Sequence, residues 1–287
     1  MPEQLSIPVL CYHSWRLGAG YGDNDHIALA ADLRTLAARG YQPISLTAIA
    51  RLLRAEIPLS AAFGKRLIGI SFDDGHDSDF YSFSDTTGKP QPAMVDLLAA
   101  YAPKLPRWDS GPMATSFVIA SSAARQAIDQ HSQLDPFQRH EQWWSTACDA
   151  DLLGVANHSW DHTHPAVAQV RQRENQTGNF WGVDTFADAE GQIAAAQHYL
   201  IALTQNRQQP LFAYPYGEVP EYLAHHYLPE QQRQLGLIGA YSTAGSIVDA
   251  SCSPWFIPRL VCGWHWCSEQ DFARLLDENE ARLCSMA

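Results

Sequence analysis

The chain has 287 residues, 46% of them hydrophobic, and a formal net charge of −12 at neutral pH. That acidic balance argues against nucleic acid as a partner, since binding a polyanion requires a basic face. No run of about 18 consecutive apolar residues occurs, so the sequence predicts no membrane-spanning helix.

Short apolar or β-branched runs alternate with amphipathic helical patterns along the chain. The predicted strands cover residues 7–12, 43–46, 67–72, 114–120, 153–156, 211–214, 237–241 and 256–261. The predicted helices cover residues 28–39, 93–101, 189–203, 221–235 and 268–283, with a further helix that carries Ile49 and Leu52 and is capped by Thr47. Residues 75–89 and 104–111 are rich in Gly, Ser, Asp and Pro, which predicts long loops.

The alternation of strand and helix favours a parallel sheet in an α/β fold. Seven or eight such units without a linker predict one domain over residues 1–287, built as a distorted seven- or eight-stranded (β/α) barrel. An open, doubly wound sheet is the alternative. In a barrel, the catalytic groups are expected at the C-terminal ends of the strands.

The first chemically suggestive segment is Ser71-Phe72-Asp73-Asp74-Gly75, directly after an apolar strand. Two adjacent carboxylates at a strand end are costly unless a positive group lies beside them, and a divalent cation meets that need. One carboxylate can then bind the metal while its neighbour acts as a base. Asp-Asp-Gly is also good turn chemistry, which is the simpler interpretation of this segment alone.

The second segment runs from Asn157 to Pro165 and contains His158, His162 and His164. His158 and His162 are four residues apart, so one helical turn would place both imidazoles on one side. If the segment is not helical, His164 could replace His162. Together with a carboxylate, two histidines leave open coordination positions, as a catalytic metal site requires, and the same ligands suit zinc or non-heme iron.

The positions of these motifs after predicted strands strengthen the metal hypothesis. His13, the aspartate pair, His158 and the Pro215-Tyr216-Gly217 turn each follow a predicted strand, so all of them are expected on one rim of the barrel. A histidine at a strand end often only bonds a carbonyl, so His13 taken by itself carries little weight.

These motifs resemble the polysaccharide deacetylase family. Its first motif, (T/S)-F-D-D-G, is similar to Ser71–Gly75, and its second, H-(S/T)-x-x-H, is similar to His158–His162. The family's Ala-Thr-x-Phe-Val strand resembles residues 114–118, and its Pro-(Tyr/Phe)-Gly motif resembles residues 215–217. The resemblance covers residues 7 to about 276 in the expected order.

The opening residues 8–14 and the stretch 33–46 resemble the poly-N-acetylglucosamine deacetylase branch. The resemblance implies that Asp74, His158 and His162 bind a divalent metal, with zinc as the first choice and Co²⁺, Ni²⁺ or Fe²⁺ as alternatives. It further implies that Asp73 is the base and that His13 is the general acid. His265 is the other candidate for that acid and fits the family pattern poorly.

The chain departs from the family pattern in its third motif, where Leu211-Phe212-Ala213 lacks the usual arginine. The resemblance transfers that role, contact with the catalytic acid, to Arg259. It also implies that Pro215 and Tyr216 lie at the substrate, with the Tyr216 backbone N–H steadying an oxyanion. The family's fourth motif, with its Asp and Trp, has no clear match.

The resemblance implies hydrolysis of the N-acetyl group of an N-acetylated sugar or polysaccharide. Two alternatives are an enzyme that hydrolyses a small amide or cyclic imide, and a non-catalytic carbohydrate-binding protein whose tryptophans, notably Trp160, Trp264 and Trp266, stack on sugars. The first residues carry no secretory signal, which predicts a cytoplasmic protein, or an exported one if a leader has been removed. No pattern indicates an oligomeric state.

Overall fold

The protein is described here by a computed structural model that covers residues 5–84, 88–131 and 138–284. Its strands are short, and those of the main sheet are nearly all buried, as expected of a parallel sheet covered on both faces. The strands are β1 (Val9–Tyr12), β2 (Gln42–Pro43), β3 (Leu67–Phe72), β4 (Phe83–Ser84), β5 (Pro90–Gln91), β6 (Ala114–Val118), β7 (Leu153–Asn157), β8 (Leu211–Ala213), β9 (Gly239–Tyr241) and β10 (Leu260–Val261).

The helices alternate with these strands. They are α1 (Asp25–Arg39), α2 (Leu46–Leu53), α3 (Met94–Tyr101), α4 (Ser122–His131), α5 (Trp144–Ala147), α6 (Phe186–Ala189), α7 (Ala195–Thr204), α8 (Leu228–Leu235) and α9 (Glu269–Cys284). A π-helical turn, Glu190–Ala194, joins α6 to α7, and another, Leu223–Tyr227, leads into α8. No helix in the described residues is both long and apolar enough to cross a membrane.

The main sheet is parallel and has the spatial order β10-β1-β3-β6-β7-β8-β9, with β2 attached to β3. Between β9 and β10, Tyr241 forms a parallel bridge with Ile257, in the segment that leads into β10. The sheet therefore curls into a distorted barrel. The predicted α/β barrel is confirmed, and the open doubly wound alternative is set aside.

The barrel brings the carboxyl ends of its strands to one rim. Cys11 of β1 lies beside Ser71 of β3, and Ser71 in turn lies beside Thr115 of β6. The pairing extends past the strand ends, because the Asp73 N–H donates to Tyr12 O and the His158 N–H donates to Val118 O. Residues that follow β1, β3 and β7 are thus held by backbone hydrogen bonds at the same edge.

Several predicted boundaries were wrong, and the start of α2 shows why. The predicted strand 43–46 ends at Pro43, because the chain turns at Ser45, whose hydroxyl accepts the Ala48 N–H at 3.1 Å. Ser45 rather than Thr47 therefore caps α2. The predicted strand 256–261 is regular only at β10, and α4 was not predicted.

The predicted loop 75–89 is also partly ordered. It contains a 3-10 turn, Asp77–Asp79, and the strand β4, which pairs with β5 in an antiparallel hairpin. Residues 85–87 of this prediction lie outside the described residues.

Candidate active site

The first motif places its two aspartates in different surroundings. Both line the cavity that the rim encloses, but Asp73 is almost fully buried, whereas Asp74 is partly exposed and has a left-handed φ of 74°. Gly75 also has a positive φ, and a Cβ there would lie 2.7 Å from Val118, so only glycine fits this turn. The local fold thus separates the neighbouring carboxylates and aims them at different partners.

Arg259 holds Asp73. Its guanidinium donates to both carboxylate oxygens, with Nη1–Oδ1 at 2.6 Å and Nη2–Oδ2 at 2.8 Å, and the arginine is fully buried. Further donation to Ser242 O and Ser71 Oγ fixes the arginine side chain. Burial by itself raises the pKa of Asp73, but the charges of Arg259, His158 and His13 and the hydrogen bonds from Arg259 together outweigh burial and lower this pKa to about 2. Asp73 is therefore a carboxylate of fixed orientation at neutral pH.

Asp74, His158 and His162 form a compact group of possible metal ligands. Asp74 Oδ1 lies 3.7 Å from Nε2 of His158 and 3.7 Å from Nε2 of His162. His158 Nδ1 lies 2.9 Å from Ala213 O, and a proton on Nδ1 that is donated to this carbonyl leaves the Nε2 lone pair free. Burial lowers the pKa of His162 to about 3, so its imidazole is neutral at neutral pH. The arrangement supplies two imidazole nitrogens and one carboxylate.

This donor set fits a divalent cation. One ligand atom of each residue lies within 4.8 Å of the other two. Bonds of about 2.0–2.1 Å at tetrahedral angles need ligand atoms roughly 3.3 Å apart, so the two distances of 3.7 Å from Asp74 to the histidines need to shorten by only a few tenths of an ångström. Three protein ligands leave a coordination position open, which distinguishes a catalytic from a structural site.

The segment from His158 to His162 does not form the helical turn that its spacing would allow. The segment is a tight loop in which Ser159, His162 and Thr163 all have positive φ. Side chains hold this loop: the His162 N–H donates to Ser159 Oγ and the Thr163 N–H donates to Asp161 Oδ1, both at 2.9 Å. Although the segment is not helical, His162 lies beside Asp74, and His164 does not replace it.

His164 lines the same cavity at a greater distance from the cluster. Its ring centroid is 6.1 Å from that of His162, and its Nδ1 accepts the Ala166 N–H at 3.1 Å. A histidine whose Nδ1 is engaged in this way supports the loop that carries His162.

His13 lines the cavity at the end of β1. One of its ring nitrogens lies within 4.8 Å of an Asp73 carboxylate oxygen. Its backbone N–H donates to Asp25 Oδ2 at 2.5 Å, and Asp25 is itself paired with Arg16. In the part of the chain that the structure describes, its ring makes no hydrogen bond to a carbonyl, so the simple alternative for this residue does not apply.

His265, the other candidate acid, lies in a turn after β10. Its Nδ1 accepts the Val261 N–H at 2.7 Å, and its ring stacks on Trp264. His265 does not line the cavity, whereas His13 does.

Pro215 and Tyr216 follow β8. Tyr216 has a left-handed conformation, with φ 58° and ψ 3°, and its ring packs edge-on against His162 with the centroids 4.4 Å apart. Gly217 also has positive φ, and a Cβ there would overlap Thr243. Tyr216 and Gly217 line the cavity, whereas Pro215 is buried behind them.

Sequence reasoning missed several residues of the cavity, among them Trp15 and Arg139. Trp15, two residues after His13, donates its indole N–H to Asp74 Oδ2 at 3.1 Å. Arg139 lines the cavity and pairs with Asp129 at 2.5 Å. The position of Trp15 directly after a rim histidine was an available signal, whereas Arg139 follows no strand and carried none.

The cavity has a volume of about 490 Å³, which lies in the range of small-molecule sites. Asp73, Asp74, His158 and His162 lie at its floor or walls together with His13 and Tyr216. The arrangement can position a water molecule between a cation held by Asp74 and the ionised Asp73.

No protein-family model matches the chain, and no curated protein matches its sequence. Solved structures do match. The chain has the polysaccharide deacetylase fold. The deacetylase PplD of Streptococcus pyogenes, solved with acetate, is 16% identical, with 94% of this chain and 97% of that chain aligned at a TM-score of 0.58.

Two further deacetylase structures agree with this. A polysaccharide deacetylase of Bacillus cereus is 13% identical, with 94% of this chain and 69% of that chain aligned at a TM-score of 0.57. The deacetylase domain of BpsB from Bordetella bronchiseptica is 18% identical, with 90% and 96% aligned at a TM-score of 0.55. The predicted resemblance is thus confirmed at the level of the fold over most of the chain.

Proposed function

We propose that this protein is a metal-dependent deacetylase that hydrolyses the N-acetyl group of an N-acetylated sugar. The observation that carries the proposal is the position of Asp73, which Arg259 keeps ionised beside the three possible metal ligands. His158 Nε2 lies 3.9 Å from Asp73 Oδ2 and 3.7 Å from Asp74 Oδ1, so base and metal ligand flank one histidine. The deacetylase fold supports the same conclusion.

Asp74, His158 and His162 would bind the metal. Zinc is the first choice because two imidazoles and one carboxylate are a common catalytic zinc set, and Co²⁺, Ni²⁺ and Fe²⁺ suit the same ligands. When bound, such an ion polarises a carbonyl and lowers the pKa of a coordinated water.

Asp73 would accept the proton of the attacking water. Its low pKa keeps Asp73 ionised, and the acidity of a metal-bound water would offset the weakness of this carboxylate as a base. Arg259 contributes by fixing the orientation of the carboxylate through two hydrogen bonds.

His13 would donate a proton to the leaving nitrogen, since it lies on the same cavity as Asp73. Tyr216 would stabilise negative charge on the carbonyl oxygen through its backbone N–H, with Pro215 holding the turn in place. The C–N bond of the acetamide breaks, water supplies the hydroxyl of the acid, and the products are acetate and a free amino sugar.

Acetate release from a panel of substrates tests the proposal. The panel contains N-acetylglucosamine, its oligomers and small N-acetyl compounds, each with and without a chelator, and ring opening of a cyclic imide is followed in parallel. We expect acetate from the N-acetylated sugars, loss of release with chelator, and recovery on addition of Zn²⁺. Release that ignores the chelator overturns the metal proposal, and cleavage of the imide alone favours a small-amide hydrolase. Sugar binding without any release favours a carbohydrate-binding protein.

A further inference from the structure

Three exposed aromatic side chains surround the candidate active site. Single exposed apolar residues are common on protein surfaces, but these three lie around one opening. Trp15, Tyr216 and Trp264 are 36%, 40% and 77% exposed, and all three line the same cavity. They come from the loops after β1, β8 and β10, so three separate segments bring aromatic rings to one opening.

Two of these rings are engaged with the metal-ligand cluster. Trp15 donates to Asp74, and Tyr216 packs against His162. Trp264 is different: it is the most exposed large hydrophobic side chain among the described residues, and its ring contact is with His265. Its indole face is therefore available to a ligand that extends out of the cavity.

The turn that carries Trp264 is rigid. The Gly263 N–H donates to Trp266 O at 2.8 Å, and the His265 N–H donates to Val261 O at 2.8 Å. The His265 ring lies almost parallel to the indole, at 12° and 5.9 Å between centroids, and its Nδ1 is held by the Val261 N–H. A ring fixed in this way loses little conformational freedom when a ligand binds to it.

The other tryptophans considered for sugar stacking are not available. Trp266 is 1% exposed and donates its indole N–H to Asp32. Trp160 is half-buried, with Arg171 over its ring at 4.6 Å and Tyr199 against its edge. Among these three candidates, Trp264 alone presents an exposed ring at the cavity.

We propose that Trp264 is the stacking platform for the sugar next to the one that is deacetylated, so that the substrate is an oligomeric glycan. This inference rests on the proposed deacetylase function. The apolar C–H face of a pyranose packs on an indole, while its hydroxyls stay in water, which suits a ring that is 77% exposed. The net charge of −12 favours a neutral or cationic glycan over an acidic one.

The test compares N-acetylglucosamine with its linear tetramer in wild type, Trp264→Ala and Trp264→Phe. In Trp264→Ala we expect KM for the tetramer to rise on the order of tenfold to hundredfold, as for loss of a central aromatic contact, with kcat little changed. Parameters for the monomer should change much less than those for the tetramer, since only the second sugar is placed on the Trp264 ring. Trp264→Phe should retain most of the tetramer affinity.

Trp181→Ala is the matched control, because Trp181 is 56% exposed and does not line this cavity. It should leave both substrates unaffected. Equal effects of Trp264→Ala on monomer and tetramer, or no effect on either, would overturn the platform while leaving the deacetylase proposal intact. If Trp264 instead binds a partner protein, Trp264→Ala should have no effect on either sugar.

Calorimetric binding of the tetramer separates the two proposals. If the wild type releases no acetate from either sugar, the proposed function fails. The platform still predicts that the wild type binds the tetramer at least about tenfold more tightly than Trp264→Ala does. Equal affinities of the two proteins would overturn it. Circular dichroism should show both variants folded, because an exposed side chain contributes little to the core.

Discussion

Arg259 donates hydrogen bonds to both carboxylate oxygens of Asp73, although 186 residues separate the two in sequence. The pair is buried, and Arg259 also packs over the ring of Phe117 at 5.1 Å. A buried charge without a partner is expensive, so each residue constrains what can stand at the other position. This pair links the segment before β10 to the end of β3, and it fixes the carboxylate that faces the cluster of possible metal ligands.

Removal of Arg259 should therefore destabilise the fold. We expect Arg259→Met to lower the free energy of unfolding by about 3–5 kcal/mol, because Asp73 is left as an unpaired buried charge. Urea denaturation measures this. The control Arg34→Met removes an exposed ion pair with Glu269 and should cost no more than about 1 kcal/mol. Adding Asp73→Asn to Arg259→Met should restore part of the loss; no recovery would contradict an electrostatic origin.

Replacement of Asp73 separates catalysis from metal binding. We expect Asp73→Asn to lower kcat by at least about a hundredfold, since the amide cannot take a proton from water. Elemental analysis should still find bound metal, because the ligand group is Asp74, His158 and His162. A near-normal rate in this variant would rule out Asp73 as the base.

The metal-ligand assignment predicts a contrast between neighbouring histidines. His158→Ala and His162→Ala should each lower affinity for Zn²⁺ by at least about a hundredfold. His164→Ala is the matched control and should retain the metal, because its Nδ1 already accepts the Ala166 N–H. Competition with a chromogenic chelator measures these affinities. Loss of metal in His164→Ala but not in His162→Ala would show that the loop presents a different ligand.

Trp15 should tune the metal site through Asp74. Trp15→Phe keeps an aromatic ring but removes the indole N–H that donates to Asp74 Oδ2 at 3.1 Å. We expect metal affinity to fall by about tenfold to hundredfold, the usual effect of losing a group that orients a ligand. Trp181→Phe serves as the control for replacing an exposed tryptophan. An unchanged affinity in Trp15→Phe would mean that Asp74 is oriented by its backbone alone.

Asp32 should make stability depend on pH. Burial raises the pKa of Asp32 to about 7, although hydrogen bonds from Tyr21, Tyr12 and Trp266 act in the opposite direction. Between pH 4 and about 7 the folded protein then binds more protons at this site than the unfolded chain does, so stability from this residue falls as pH rises. The free energy of unfolding of the wild type, minus that of Asp32→Asn, should therefore fall as pH rises across this range. Parallel pH profiles of the two proteins would contradict the prediction.

Local sequence was sufficient for much of the fold and for most members of the candidate site. The apolar run Leu67–Phe72 was predicted with the bounds it has in the structure, because a strand buried on both faces needs no partner-specific pattern. Asp73, Asp74, His158 and His162 follow strands, and parallel strands in a barrel end on one rim. Their proximity could therefore be predicted without coordinates.

Two features of the site depended on three-dimensional packing. The spacing of His158 and His162 would allow a helical turn, yet backbone N–H groups donate to the side chains of Ser159 and Asp161 and hold the loop in left-handed conformations. Spacing alone does not encode such bonds. Trp15 reaches Asp74 only because β1 and β3 are neighbours in the sheet.

The sequence by itself determined the order of strands and helices, the motif residues and the acidic surface, because these depend on local composition and periodicity. The tertiary structure decided that Arg259 pairs with Asp73, that His13 rather than His265 lies on the cavity, and that Trp264 alone among the three tryptophans considered is exposed there. Each of these depends on contacts between segments far apart in the chain. Such contacts form when the sheet curls and brings β10 beside β1.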